Sequence, residues 1–254
     1  MLQQVRRGPE YVRAVSKHSG VFDLMRNKTS MHVSYHCPNP VIGMFNLLQI
    51  NEKLGLPLPD WYTEEVKREH RSAYAEVMRS KAHTIRQRRL DGGPLVRTTL
   101  ENMNLNGSLT NPRKIYLYSG HDMTLYGFFK ALDVGDHDHV DFGTTIVLEK
   151  LRDSRNNRIF VRFLVYSPIE DKTIAVRVGG CGEFCPAEDY VKHIANVVPT
   201  DEERDVLLNE FNVGRLKDLF FVDEKVRKPS AQAREFDPYA CVYKNNAQED
   251  WNDV

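Results

Sequence analysis

His121 and Asp122 are adjacent, and Ser119 and Gly120 separate them from the apolar run Lys114 to Tyr118. An imidazole beside a carboxyl can contact an anion with one group and hand a proton to a departing oxygen with the other. The run is rich in β-branched and aromatic residues and ends at Ser-Gly, which predicts a short buried strand. Behind the pair, Leu125, Phe128, Phe129 and Leu132 recur at helical spacing and predict a helix over 123–132. Strand, turn and helix put His121 and Asp122 at a strand's carboxyl end. Open α/β sheets bind ligands there, and the first amides of the following helix face an anion. The simpler alternative is that Asp122 caps the helix with its side-chain oxygen.

The elements around this stretch follow from pattern. Glu10 to His18 reads as a short helix ending at Gly20. Pro40 to Leu54 is apolar on so wide an arc that a buried helix is expected. Pro57 and Pro59 break it, Asp60 opens the next, and Trp61 to Arg89 reads as one long charged helix with Val66, Tyr74, Val77, Met78 and Ile85 as its stripe. Arg86 to Arg89 then complement a helix C-terminus. Gly92-Gly93 punctuates, and Pro94 suits a first helical turn. Thr144 to Leu151 and Arg158 to Ser167 read as a hairpin, with Thr173 to Val178 as a third strand. Pro186 to Val198 is amphipathic, and Thr200 to Glu203 has the pattern of a capping box. Lys225 to Val254 reads as a polar tail.

With 254 residues, 41% hydrophobic and 28% charged, the chain can bury one sizeable core with a smaller attached lobe. Thirty-five basic and 35 acidic residues cancel, so the overall charge favours neither nucleic acid nor an anionic membrane as partner. Any affinity for an anion must be local. No apolar run reaches the length of a membrane span; Leu219 to Val222 is the longest near the end. Met1 to Arg7 carries charge but no apolar core, unlike a secretory leader.

Four cysteines are present: Cys37, Cys181, Cys185 and Cys241. Cys181 and Cys185 are close enough to close a small loop, and they stand open as a disulfide, as reduced thiols or as half of a metal site. No second pair or histidine cluster lies nearby, which argues against zinc. Asp136-His137-Asp138-His139 resembles a metal-binding string, but consecutive loop residues seldom converge on one ion, so no metal and no cofactor is expected. Asn27-Lys28-Thr29 and Asn106-Gly107-Ser108 are glycosylation sequons. They point toward a secretory compartment.

Arg89 to Val96, Tyr118 to Leu125, Ala131-Leu132-Asp133 and Leu148-Glu149 together resemble the C-terminal half of the histidine acid phosphatases, of prostatic and lysosomal type. Leu58-Pro59-Asp60-Trp61, Gly180-Cys181-Gly182-Glu183-Phe184-Cys185-Pro186 and Val198-Pro199 extend the likeness to about four-fifths of the chain. The resemblance implies an α/β fold with the mixed sheet of the phosphoglycerate mutase-like superfamily, incomplete here. It assigns 1–88 to part of a helical cap lobe, 89–213 to the C-terminal part of the phosphatase core and 214–254 to the tail. A Cys181–Cys185 disulfide, a secreted or lysosomal location and a possible homodimer are also implied, and Glu149 matches a family position beside the sheet.

That family hydrolyses phosphate monoesters through a phosphohistidine. By resemblance His121 contacts the phosphoryl group and Asp122 protonates the leaving oxygen, which requires its carboxyl pKa to lie above the ordinary value of about 3.9. The nucleophile motif Arg-His-Gly-x-Arg-x-Pro is not found. Arg6-Arg7-Gly8-Pro9 has arginine where the nucleophile should stand and no buried strand before it. The expectation is a truncated product, an incomplete gene model or a non-catalytic homologue that is inactive alone. The alternatives are a phosphate-binding pseudophosphatase and a phytase-like or mutase-like relative.

Overall fold

The structure is a computed structural model and describes residues 2–29, 31–105, 113–135 and 139–204. Its contacts divide these residues into one unit up to Ser80 and a second from Lys81.

The first unit is helical: α1 (Leu2–Arg7), α2 (Pro9–Ser16), α3 (Ser19–Lys28), α4 (Asn39–Lys53) and α5 (Glu64–Arg79). Tyr11, Val15, Phe22, Met25, Val41, Met44, Leu48 and Val77 fill its core. Gly20 does not end a helix as its type suggested, because the chain turns at Lys17 and His18 and Gly20 lies in the first turn of α3. α4 stops at a Schellman motif: Gly55 takes φ +67°, its amide donates to Glu52 O (3.0 Å) and the Leu56 amide to Asn51 O (2.8 Å). The expectation that α4 is buried all round is wrong. Val41, Met44, Phe45 and Leu48 face the core, while Leu47 and Leu54 are 49% and 68% exposed.

His70 is fully buried in this unit, its Nε2 donating to Val41 O (2.8 Å) and its Nδ1 accepting from the Tyr62 hydroxyl (3.1 Å). Burial pulls its pKa down to about 4 against the opposing effect of the Val41 hydrogen bond. His70 is thus a neutral core residue.

The second unit opens with α6 (Ile85–Asp91) and α7 (Gly93–Asn102). The expected long helix over 61–89 is therefore two helices, α5 and α6. Thr63 caps α5 through the Val66 amide, and a capping box between Thr84 and Gln87 starts α6 afresh. Ile85, placed by sequence on the buried stripe, begins the new helix and is exposed.

Then come α8 (Asp122–Ala131), β1 (Thr145–Arg152), β2 (Ile159–Ser167), β3 (Lys172–Val176), β4 (Cys185–Pro186) and α9 (Ala187–Ile194). The hairpin is as expected, with Thr145 opposite Tyr166 and Arg152 opposite Ile159. β3 and β4 also pair with β2, antiparallel in each case, so the described sheet is antiparallel and not mixed. Val161, Phe163 and Val165 alternate onto its buried face. α9 covers that face, the rings of Tyr190 and Phe163 lying 5.6 Å apart.

Lys114 to Tyr118 is not a strand. None of the described strands pairs with it, and Ile115 and Leu117 are 77% and 94% exposed. β-forming side chains make a strand only where a neighbour completes the ladder and a face is covered, and no described residue supplies either here. Among the described residues no helix is long and apolar enough to cross a membrane.

Candidate functional site

α8 begins where the sequence placed a helix, one residue early. His121 is the N-cap residue, with φ −113° and ψ 168°, and Asp122 is the first helical residue. The His121 carbonyl accepts from the amides of Thr124 (2.9 Å) and Leu125 (3.1 Å). Its own amide donates to Thr124 Oγ1 (3.5 Å), closing the first turn from the other side. A Cβ on Gly120 would come within 3.3 Å of Thr124, so glycine there leaves Thr124 room to reach back. The imidazole of His121 is exposed and Asp122 is half-buried.

The Asp122 carboxylate accepts from the Met123 amide through Oδ1 (2.8 Å). The local role offered by the simpler reading is thus occupied by one oxygen, although the cap position itself belongs to His121. The arrangement is an exposed imidazole at the positive end of a ten-residue helix, with a carboxyl one residue on. Chemically it can attract an anion and offer it a proton donor.

What holds this helix head is a close crossing behind it. Gly127 of α8 touches the joint of α6 and α7 at Gly92, and Tyr126, Phe128 and Phe129 are buried on either side. Asp91 as a whole is exposed, yet its Oδ2 would lie 2.8 Å from a Cβ on Gly127. Burial of the carboxylate pushes its pKa up to about 6, and the Lys81 charge draws it partly back. The Lys81 ammonium also reaches Met123 Sδ at 3.7 Å. Sequence reasoning missed this cation at the first turn, because no motif marks it; only the packing of α8 reveals it.

The arginine run read as complementing a helix dipole makes specific contacts. Arg88 donates to Ala82 O (2.9 Å) and pairs with Asp133 (3.6 Å), while Arg89 holds Glu203 (2.7 Å) and Asn196 O (3.2 Å). The expected capping box at Thr200 is present, Thr200 and Glu203 exchanging bonds of 2.8 and 3.2 Å. Glu149 pairs with Arg162 at 3.6 Å, the ordinary role foreseen for it.

Cys181 and Cys185 form a disulfide, with Cα atoms 5.2 Å apart. Cys37 is also disulfide-bonded, which its sequence context did not reveal; Cys241 lies outside the described residues. Asn27 is exposed in the last turn of α3, whereas Asn106 lies outside the described residues. So do Asp136, His137 and Asp138; His139 faces Asp141 at 3.2 Å. Among the described residues no group of three or more potential ligands surrounds a metal position. A surface cavity of about 540 Å³ opens at Gly180, Cys181, Asp189, Lys192 and His193. Neither His121 nor Asp122 lines it, so it takes no part in the chemistry of that pair.

Comparison with known proteins adds a finding that geometry alone does not supply. Residues 44–166 match the histidine phosphatase superfamily (branch 2). The chain is 27% identical over 239 residues to venom acid phosphatase Acph-1 of Apis mellifera, covering 92% of this chain and 58% of that protein. It is 23% identical over 215 residues to lysosomal acid phosphatase of Homo sapiens, covering 81% and 48%. With prostatic acid phosphatase of Rattus norvegicus it shares 29% over 147 residues, covering 57% and 38%. The chain spans about half the length of the curated relatives it matches.

Proposed function

Because residues 44–166 are a branch-2 histidine phosphatase domain and the chain is a homologue of acid phosphatases, we propose that it binds phosphate monoesters or inorganic phosphate at His121 and Asp122 and does not hydrolyse them by itself. The observation that carries this reading is the exposed His121 imidazole at the head of α8 beside the Asp122 carboxyl. The helix end and the imidazole N–H attract the anion, and the Lys81 ammonium at the first turn adds positive charge.

Turnover asks for more. Cleaving a phosphate monoester through a phosphoenzyme requires a nucleophile to attack phosphorus while an acid protonates the departing oxygen. Asp122 fits the second task, which by itself is worth roughly 10²–10⁴-fold. No Arg-His-Gly tripeptide occurs among these 254 residues, and the proposal accordingly assigns the first task to none of them. The second reading, a phosphate-binding module without turnover as its natural role, shares this chemistry. It is favoured by the engagement of Asp122 with the Met123 amide, which ties the carboxylate to holding the helix head.

A secretory or lysosomal setting is part of the proposal. Disulfides at Cys181–Cys185 and at Cys37 persist in oxidising compartments, and an exposed Asn27 sequon suits glycosylation there.

The test is incubation of the full chain with an aryl phosphate at acid pH, following phenol release and intact protein mass. No release above background and no phosphorylated protein are expected. Catalytic release that disappears in an Asp122→Asn variant would contradict the proposal.

A further inference from the structure

Arg6 carries a full charge into the interior of the helical unit. It lies near the end of α1 and is 5% exposed. Its Nε donates to Ser80 Oγ (3.5 Å) and its Nη1 to Asn39 Oδ1 (3.2 Å). The Arg6 carbonyl accepts from His36 Nδ1 (3.0 Å), and the Ser80 hydroxyl commits its own proton to Val77 O (2.6 Å). These bonds fix the side chain, yet Nη2 is buried with no hydrogen-bond partner. The Tyr11 hydroxyl of α2 is buried without one as well, close enough for its charge state and that of Arg6 to influence each other.

The groups around Arg6 do not neutralise it. Burial lowers its pKa, but a guanidinium keeps its proton throughout the physiological range. Tyr11 could serve as counter-ion only as a phenolate, and burial pushes its pKa up to about 12 against the opposing pull of Arg6. Glu76, whose charge also reaches Tyr11, is engaged with Arg79 at 2.9 Å. Ser80 and Asn39 are neutral. The carboxyl end of α5, where Ser80 is the cap residue, supplies at most about half a negative charge. A buried cation matched so poorly is strongly destabilising.

We propose that Arg6 Nη2 and the Tyr11 hydroxyl bind a small monovalent anion of halide size. Two buried donors beside one cation suit a single negative charge. Sulfate would bring two charges to one guanidinium and leave one of them unmatched. A buried water would meet the donors but carries no charge. The site belongs to the helical unit and owes nothing to His121 or Asp122.

The test is thermal unfolding of the full chain as chloride replaces gluconate at constant ionic strength. The wild-type unfolding temperature should rise and saturate, gaining about 3–5 °C once chloride reaches ten times its dissociation constant, and bromide should act alike. Arg6→Met keeps most of the stem and should lose the rise. Tyr11→Phe keeps the charge and should need at least about tenfold more chloride. Chloride-35 NMR of the wild type gives a reading that requires no folded variant: line broadening that bromide displaces is expected. Absence of that broadening, no rise in the wild type, or an equal rise in Arg6→Met overturns the proposal, the first two results meaning that water alone meets the guanidinium.

Discussion

The backbones of Gly92 and Gly127 meet so closely that a Cβ on Gly92 would sit 2.0 Å from the Gly127 carbonyl oxygen. This contact fixes α8, and with it His121 and Asp122, to the joint of α6 and α7. Because the obstacle is backbone, it cannot swing aside as a side chain would. Gly92→Ala is expected to lower unfolding stability by about 3 kcal/mol, measured by urea denaturation. Gly120→Ala meets only the Thr124 side chain at 3.3 Å and should cost less than about 1 kcal/mol. Equal costs would show that the crossing is not what holds α8.

His70 makes the stability of the helical unit depend on pH. Its pKa falls from 6.5 in the unfolded chain to about 4 in the folded one. Above pH 6.5 both states are neutral and the buried imidazole contributes fully. Between 6.5 and 4 the unfolded chain takes up a proton that the folded chain refuses, so stability falls with pH by roughly 3 kcal/mol in all. Urea midpoints measured from pH 7 to pH 4 should follow that slope. His70→Gln should be less stable at pH 7, through loss of fit to Tyr62 and Val41, and should show a flatter profile. An unchanged slope in that variant would assign the acid sensitivity to other groups.

Leu117 and Phe163 are both apolar residues in runs that the sequence marks as strands, yet they sit in opposite surroundings. Phe163 is buried in β2 under Tyr190, whereas Leu117 is almost wholly exposed. Phe163→Ala is expected to cost about 3–5 kcal/mol, and Leu117→Ser to stay within about 0.5 kcal/mol of the wild type. Thermal and urea unfolding of the two variants check this contrast. A large loss at Leu117 would mean that the run 114–118 is covered in solution.

The contrast also shows what the residues alone can say. β1, β2 and α9 were legible because each carries its own periodicity and packs against a neighbour close in sequence, as Phe163 does with Tyr190. The head of α8 was legible for the same reason, its caps being local. Lys114 to Tyr118 was misread because a strand is a property of a ladder, and the partner it needs is not signalled within the run. The break between α5 and α6 was missed because Thr84 and Gln87 lie inside a charged stretch that keeps helical spacing across the gap. Lys81 at Met123 and Asp91 at Gly127 were invisible because they depend on two glycines, far apart in sequence, allowing helices to touch.

The measurement that bears most directly on the phosphate site is the thermal unfolding of the full chain titrated with inorganic phosphate near pH 5, alongside His121→Ala. A ligand bound only by the folded state stabilises it by about 2.7 kcal/mol at a hundred times its dissociation constant. The unfolding temperature of the wild type should therefore climb with phosphate, while that of His121→Ala, an exposed substitution that leaves the fold intact, should not. An equal climb in both proteins would place phosphate elsewhere and contradict the assignment of the site to the head of α8.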